Sequence, residues 1–398
     1  MPKGKTVVLG VTGGIAAYKA VDITSRLKKL EVNVRVVMTE NAQQFVTPLT
    51  FQSLSQNQVA TEMFQSPQQS SQYWEIEHIS LAKSADVMVI APATANFIGK
   101  LASGIADDLL LTTVLATTAP IIIAPAMNEN MYANVVVQEN IEKLKQRGYT
   151  FIEPTVGRLA CGVTAKGKLA SVDDIVDIIG LFLSKKDLAG KKLLVTAGPT
   201  CESIDAVRYI TNHSSGKMGY AIAKAARDRG AKVTLVSGKV SLKPLKGVDF
   251  VQISSALDMY EAVTKRAKEQ DIIIKAAAVA DFRPSVTYDY KLKKTQMPPL
   301  ELIKNPDILM ELGKEKDYIL VGFCMETENL IENAKAKLEN KNLDMIVAND
   351  LKQEGAGFGN STNVVTILTA EGKQENLPLM SKDELADKIL DRVMEIKV

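Results

Sequence analysis

Residues 5–30 read KTVVLGVTGGIAAYKAVDITSRLKKL. KTVVLGVT is a run of β-branched and apolar residues ending in small ones, the pattern of a strand buried on both faces. The paired glycines Gly13 and Gly14 follow. The next residues place apolar side chains at helical spacing, with lysine and arginine on the other face. A buried strand, a glycine turn and an amphipathic helix form the opening unit of an α/β sheet.

The same alternation continues outward. VNVRVVMT (32–39), SADVMVIAPAT (84–94) and APIIIAPAM (119–127) read as further strands, separated by helical or loop segments. The pattern restarts at KKLLVTAGPT (191–200), with a helix in MGYAIAKAARDRG. More strands follow in AKVTLVSG, DIIIKAAAVAD, YILVGFCME and LDMIVAND. TNVVTILTA reads as a late antiparallel strand, and SKDELADKILDRVMEI as a closing helix. Alternating strands and helices predict two mostly parallel, helix-covered sheets. SKKDLAG (184–190) is short and polar and reads as the link, which gives domains over 1–189 and 190–398.

The chain has 398 residues, 46% of them hydrophobic, enough for two cores. With 48 basic and 46 acidic residues its net charge is +2, which argues against a nucleic-acid binder. No apolar run approaches the roughly 20 residues of a membrane span, and the N-terminus lacks a signal-peptide pattern. Three cysteines, Cys161, Cys201 and Cys324, fit free thiols in a reducing cytoplasm. Cys201 and Cys324 read as packing residues.

In open α/β sheets ligands bind beyond the carboxyl ends of strands. TGG, PATANF and PAMNENM follow strands in the first half, and GPT, AAAVADF and GF in the second. The glycine turn suits either a bound phosphate or tight packing of helix on strand. It does not match G-x-G-x-x-G. Glu40 could serve a ribose and Thr39 a phosphate. Asn128 follows a strand and a proline, where its amide can donate to a carboxylate or close an Asx turn. His78 lies at a helix start. Cys161 lies in GRLACGVTAKGK (157–168), among three glycines and three basic residues, with no strand or helix period.

Taken in order, GVTGGIAAYK, the IEH with His78, APATAN, PAMNENM and LACG closely resemble the flavin-containing cysteine decarboxylases, specifically phosphopantothenoylcysteine decarboxylase, over about residues 5 to 180. The resemblance implies a flavodoxin-like subunit with FMN near subunit contacts, assembling as trimers and dodecamers. It places Gly13, Gly14, Ile15 and Thr39 at the FMN phosphate and Thr94, Ala95, Asn96 and Phe97 at the flavin. It implies that His78 assists proton transfer, that Asn128 binds the substrate carboxylate and that Cys161 sits on a flap. Decarboxylating an acylated cysteine leaves a carbanion without an electron sink. Oxidation of the thiol to a thioaldehyde supplies one. The enethiolate left by carbon dioxide loss then needs a proton on carbon, and the Cys161 thiol, protonated at neutral pH, is a suitable acid. Tyr132 stands where many relatives carry Trp, and Phe97 where Thr is frequent.

GPTCESIDAVRYITNHSSGKMG (198–219), AAAVADF, KLKK (291–294), KNPDI, VGF and KNLDMIVAND resemble phosphopantothenate–cysteine ligase over about residues 190 to 395. From the residues alone, Arg208 offers a bidentate fork and the helix start near Lys217 an anion site. The resemblance implies a Rossmann-like ligase that uses CTP with magnesium, forms an acyl-cytidylate and joins it to cysteine. Asn212 would hold that intermediate, with Arg208 in support, and Lys291 would stabilise charge on the reacting groups. Lys275, Ala276, Ala277, Asp281, Asn305, Pro306, Asp307, Ile308, Phe323, Lys337 and Lys341 would form the nucleotide site. Lys275 departs from the small or apolar residue usual there. Ligase halves of relatives dimerise, which could link decarboxylase trimers into one homo-oligomer. Two competing readings are a nicotinamide oxidoreductase, which a yellow flavin-bearing protein would exclude, and a non-catalytic flavin-binding regulatory subunit, against which His78, Asn128, Cys161, Asn212 and Lys291 together argue.

Overall fold

The computed structural model describes residues 4–63, 77–158, 164–293, 299–326, 328–350, 357 and 359–396. The chain divides into two compact units, Met1–Ser184 and Lys185–Val398.

The first unit is built on β1 (Thr6–Val11), β2 (Asn33–Met38), β3 (Val87–Ala93), β4 (Ile121–Pro125) and β5 (Thr150–Phe151). They form one parallel sheet in the order β2-β1-β3-β4-β5. The continuous apolar runs seen in the sequence are required because both faces are covered. Val7, Leu9 and Val11 pack in one cluster with Ala20, Ile23 and Ile179. Val8, Met88 and Ile90 point the other way, into a cluster with Ile98, Leu101 and Leu110. This is the flavodoxin-like strand order, in which the winding reverses between β1 and β3 and opens a crevice there.

β6 (Thr155–Arg158) and β7 (Thr164–Lys168) pair antiparallel. This corrects the reading of residues 157–168 as lacking strand structure. Gly157, Gly167 and alternating small and basic residues hide the period. The hairpin is also largely exposed, so it needs no apolar face. Residues 159–163, with Cys161, lie outside the described residues.

The second unit contains β8 (Lys192–Ala197), β9 (Cys201–Ser203), β10 (Tyr209–Thr211), β11 (Lys232–Ser237), β12 (Asp249–Gln252), β13 (Ile272–Lys275), β14 (Phe282–Pro284) and β15 (Leu302–Lys304). β16 (Ile319–Glu326), β17 (Met345–Asp350), β18 (Thr362–Thr369) and β19 (Gln374–Ser381) complete it. Its main sheet runs β12-β11-β8-β13-β16-β17-β18-β19, with β18 and β19 antiparallel. The six parallel strands have the Rossmann order 3-2-1-4-5-6, with the switch point between β8 and β13. Gly219 lets the Lys217–Asp228 helix lie close over β8: a Cβ there would meet Ala197 Cβ at 2.6 Å and Thr196 O at 2.8 Å. Two short antiparallel pairs, β9–β10 and β14–β15, lie outside the main sheet.

SKKDLAG is not a free linker beyond Ser184. Leu188 is fully buried in the core of the second unit, and Asp187 pairs with the buried Arg229. Its polarity misleads because those charges are matched internally.

Two candidate active sites

The first unit encloses a cavity of about 1150 Å³ beyond the carboxyl ends of β1, β3 and β4. Thr12 links the two strands at the switch point: its hydroxyl donates to Pro92 O at 2.8 Å and accepts from Thr94 N at 3.1 Å. Thr94 caps the Ala95–Ala102 helix by accepting from Phe97 N. Thr39 caps the Glu40–Gln43 helix in the same way through Ala42 N. Backbone approach is close at Gly13, where a Cβ would lie 2.4 Å from Asn41 Cβ and 2.9 Å from its carbonyl carbon. Lys19 and Lys168 both line the cavity. Burial, followed by the charge of Lys168, lowers the pKa of Lys19. Asn128 caps the Glu129–Ala133 helix, its Oδ1 accepting from Asn130 N at 2.9 Å. The Asx geometry is thus present, with the carboxamide still on the cavity wall.

The second unit has a cavity of about 370 Å³ at the ends of β13, β16 and β17 and the start of the Lys217–Asp228 helix. Asn212 Nδ2 donates to Ala278 O at 3.0 Å. Lys275, at the end of β13, and Ala276, Ala277 and Asp281 after it line the wall, as do Phe323 and Lys337. Lys382 is 8% exposed; its ammonium donates to Gly357 O at 3.2 Å and Asn360 O at 2.8 Å. Burial, then the charge of Lys217, lowers its pKa. Asn363 Nδ2 donates to Asn349 Oδ1 at 2.9 Å deeper in the wall.

Residues 1–184 match the flavoprotein family, and residues 188–396 match the DNA/pantothenate metabolism flavoprotein C-terminal domain. The coenzyme A biosynthesis bifunctional protein CoaBC of Bacillus subtilis (strain 168) is 50% identical over 399 residues, covering 99% of this chain and 97% of that protein. This chain belongs to that family. The protein of the same name from Escherichia coli (strain K12) is 43% identical over 398 residues, 98% of this chain and 97% of its own. A solved C-terminal domain of a CoaBC protein is 45% identical, covers 53% of this chain and 97% of its own, and has a TM-score of 0.47. The chain is a bifunctional enzyme of coenzyme A biosynthesis, a decarboxylase joined to a ligase.

Within this CoaBC-family chain the first cavity gathers Gly13, Gly14, Ile15, Thr39, Thr94, Ala95, Asn96, Phe97 and Asn128. His78, on the Glu77–Ser84 helix, does not line it. The second gathers Asn212, Lys275, Ala276, Ala277, Asp281, Phe323 and Lys337.

Arg208, Lys291, Lys341 and the run Asn305–Ile308 do not line the second cavity. The guanidinium of Arg208 is bound to Asp205, whose side chain is fully buried, and also donates to Leu292 O at 3.1 Å. The Arg208 bonds come first in holding the Asp205 carboxyl well below the usual carboxylate range. Asp205 also accepts from the backbone N–H groups of Val207, Arg208 and Leu292. Arg208 and Asp205 therefore anchor the chain beside Lys291, which is itself exposed. Asn305 Nδ2 donates to Ala280 O, and Asp307 pairs with Lys341 at 2.7 Å.

Sequence reasoning missed Lys19, Lys168, Asn349, Asn363 and Lys382. Basic and amide residues read as solvated in the sequence of an α/β chain, although Asn349, Asn363 and Lys382 are buried. Only the topology brings the start of the Lys382–Glu395 helix beside Lys217.

Proposed function

We propose that the second unit joins cysteine to phosphopantothenate with CTP through an acyl-cytidylate. The first unit then decarboxylates phosphopantothenoylcysteine to phosphopantetheine with FMN. The observation that carries this reading is that each unit has, beyond the carboxyl ends of its own parallel strands, a cavity that gathers the residues expected for one of the two reactions.

FMN fits the first cavity by its volume, by the glycine turn at its wall and by Lys19 and Lys168, the third wall lysine, Lys100, being paired with Asp107. Gly13, Gly14, Ile15 and Thr39 would hold its phosphate end, and Thr94 to Phe97 its ring. Bound there, FMN supplies a two-electron oxidant for the substrate thiol and later returns the electrons. Asn128 would bind the substrate carboxylate, as the family resemblance implies. Cys161 would donate a proton to carbon after carbon dioxide leaves. His78 would assist proton transfer at subunit contacts, where the family resemblance puts the cofactor.

In the ligase step a substrate carboxylate oxygen attacks the α-phosphorus of CTP and pyrophosphate leaves. The cysteine amine then attacks the acyl carbon and CMP leaves. Asn212 would hold the acyl-cytidylate, and Lys291 would stabilise the growing negative charge. Arg208 supports both indirectly through Asp205 and Leu292. Magnesium would arrive with the triphosphate. Asp281 is the carboxylate on the cavity wall, and phosphate and water suit the rest of a magnesium shell.

In a homo-oligomer of trimers of first units linked by dimers of second units, the trimers rest on the family resemblance, and the dimers are supported by apolar side chains left exposed on the short antiparallel pairs of the second unit. These include Tyr209, Phe282 and Leu302. Among the described residues no helix is long and apolar enough to cross a membrane. We place the enzyme in the cytoplasm with its small-molecule substrates. Incubation of the yellow purified chain with phosphopantothenate, cysteine and CTP should give phosphopantetheine, CMP and pyrophosphate by mass. Absence of both the cysteine adduct and phosphopantetheine would refute the reading.

A further inference from the structure

Lys275 ends β13 with its side chain on the second cavity wall. It is half-buried and has no hydrogen-bond or ion-pair partner among the described residues. The other cations nearby are mostly engaged: Lys341 with Asp307, Lys217 with Gly359 O and Lys382 with two carbonyls. The wall carries four lysines, Lys217, Lys275, Lys337 and Lys382, against the single carboxylate of Asp281. Like charges gathered without counter-charges in a partly desolvated cavity are unfavourable until an anion joins them. One phosphate would leave that excess uncompensated, whereas a chain of phosphates would match it.

We propose that Lys275, together with Lys337, binds the polyphosphate chain of the nucleotide, and that the nucleotide binds with uptake of a proton at Lys275. This rests on the ligase reading and specifies the role of a side chain that the family resemblance places at the nucleotide by position alone. Burial, then the charges of Lys337 and Lys341, pull Lys275 down to about 8, while Asp307 and Asp281 act in the opposite sense. Cys324, facing the same cavity from β16, is pushed up to about 11 by burial and stays neutral. A bound polyphosphate favours the ammonium, so the Lys275 pKa rises on binding. Affinity should therefore weaken as pH rises through about 8, approaching tenfold per unit above it.

The test is calorimetric titration of the full chain with CTP, CMP and pyrophosphate between about pH 6.5 and 9, in two buffers of different ionisation heat. Buffer-dependent heats should report proton uptake with CTP and pyrophosphate, and less with CMP. K275M should weaken CTP binding about ten- to hundredfold and abolish the pH dependence. It should disturb CMP binding less, which separates this effect from misfolding. K275R should keep the affinity and lose the pH dependence, because a guanidinium does not titrate in this range. If K275M and K275R bind CTP with the affinity and pH dependence of the unsubstituted chain, the proposal is wrong. If the unsubstituted chain binds no CTP, the ligase reading falls, and this proposal with it.

Discussion

Asp187 holds Arg229 by two bonds, Oδ1 from Nε at 2.8 Å and Oδ2 from an Nη at 2.6 Å, and Arg229 is only 1% exposed. Asp391 Oδ1 at 3.0 Å and Asp387 O at 3.1 Å complete the guanidinium's partners. Residues just after Ser184 therefore belong to the core of the ligase unit.

A fragment beginning at Lys185 should fold and ligate without flavin, whereas one beginning at Leu188 should be less stable. Within the full chain Asp187→Ala should cost about 1.5–3 kcal/mol, the range for a hydrogen bond to a charged group. Denaturant midpoints of the two fragments and the variant check this. Equal midpoints would show that the ion pair contributes nothing.

Burial would raise the Asp187 pKa, but the bonds to Arg229 and Lys185 outweigh it, and the pKa is lowered on folding. The stabilisation is then complete above the unfolded value near 4 and is lost as pH falls through the lower folded value. The stability difference between Asp187→Ala and the unsubstituted chain should shrink in that acid window. A difference unchanged down to pH about 2 would contradict the linkage.

Most main-sheet strands were readable because buried parallel strands leave continuous β-branched runs, as in Val7–Leu9 and Ile272–Ile274, whereas the edge strands β5, β12 and β19 were not read. The glycine turn at Gly13 was readable for the same reason of position: it follows a strand. Hidden features depend on pairings that only folding reveals. Arg208 looks like an anion fork until Asp205, three residues earlier, is seen to be buried beneath it. Lys382 looks like the solvated start of a capped helix until folding sets it against Gly357 and Asn360. The β6–β7 hairpin has no apolar face to announce it.

Lys291→Gln should lower the single-turnover ligation rate about 10²–10³-fold, the usual loss on removing one charge stabiliser, with a smaller effect on CTP affinity. Asp205→Asn, which removes the charge paired with Arg208, should reproduce part of that rate loss by loosening the Leu292 anchor. A normal rate in Lys291→Gln would return KLKK to a solvated cluster.

Cys161→Ser should stop the decarboxylase after carbon dioxide is released, because a serine hydroxyl is a far weaker acid than a thiol. Ligation should be unaffected. Mass analysis should find a product two hydrogens short of phosphopantetheine, and phosphopantetheine at the normal rate would remove Cys161 as the acid.

The most direct test of two separate sites in one chain compares Gly13→Ala with Asn212→Asp in the full substrate mixture. Gly13→Ala places a Cβ against Asn41 and should give colourless protein that accumulates phosphopantothenoylcysteine with CMP. Asn212→Asp removes the donor to Ala278 O and adds a negative charge beside the acyl-cytidylate. It should form no adduct, yet convert supplied phosphopantothenoylcysteine to phosphopantetheine. If either substitution abolishes both steps while the protein remains folded, or if Gly13→Ala still yields phosphopantetheine, the assignment of one reaction to each unit is contradicted.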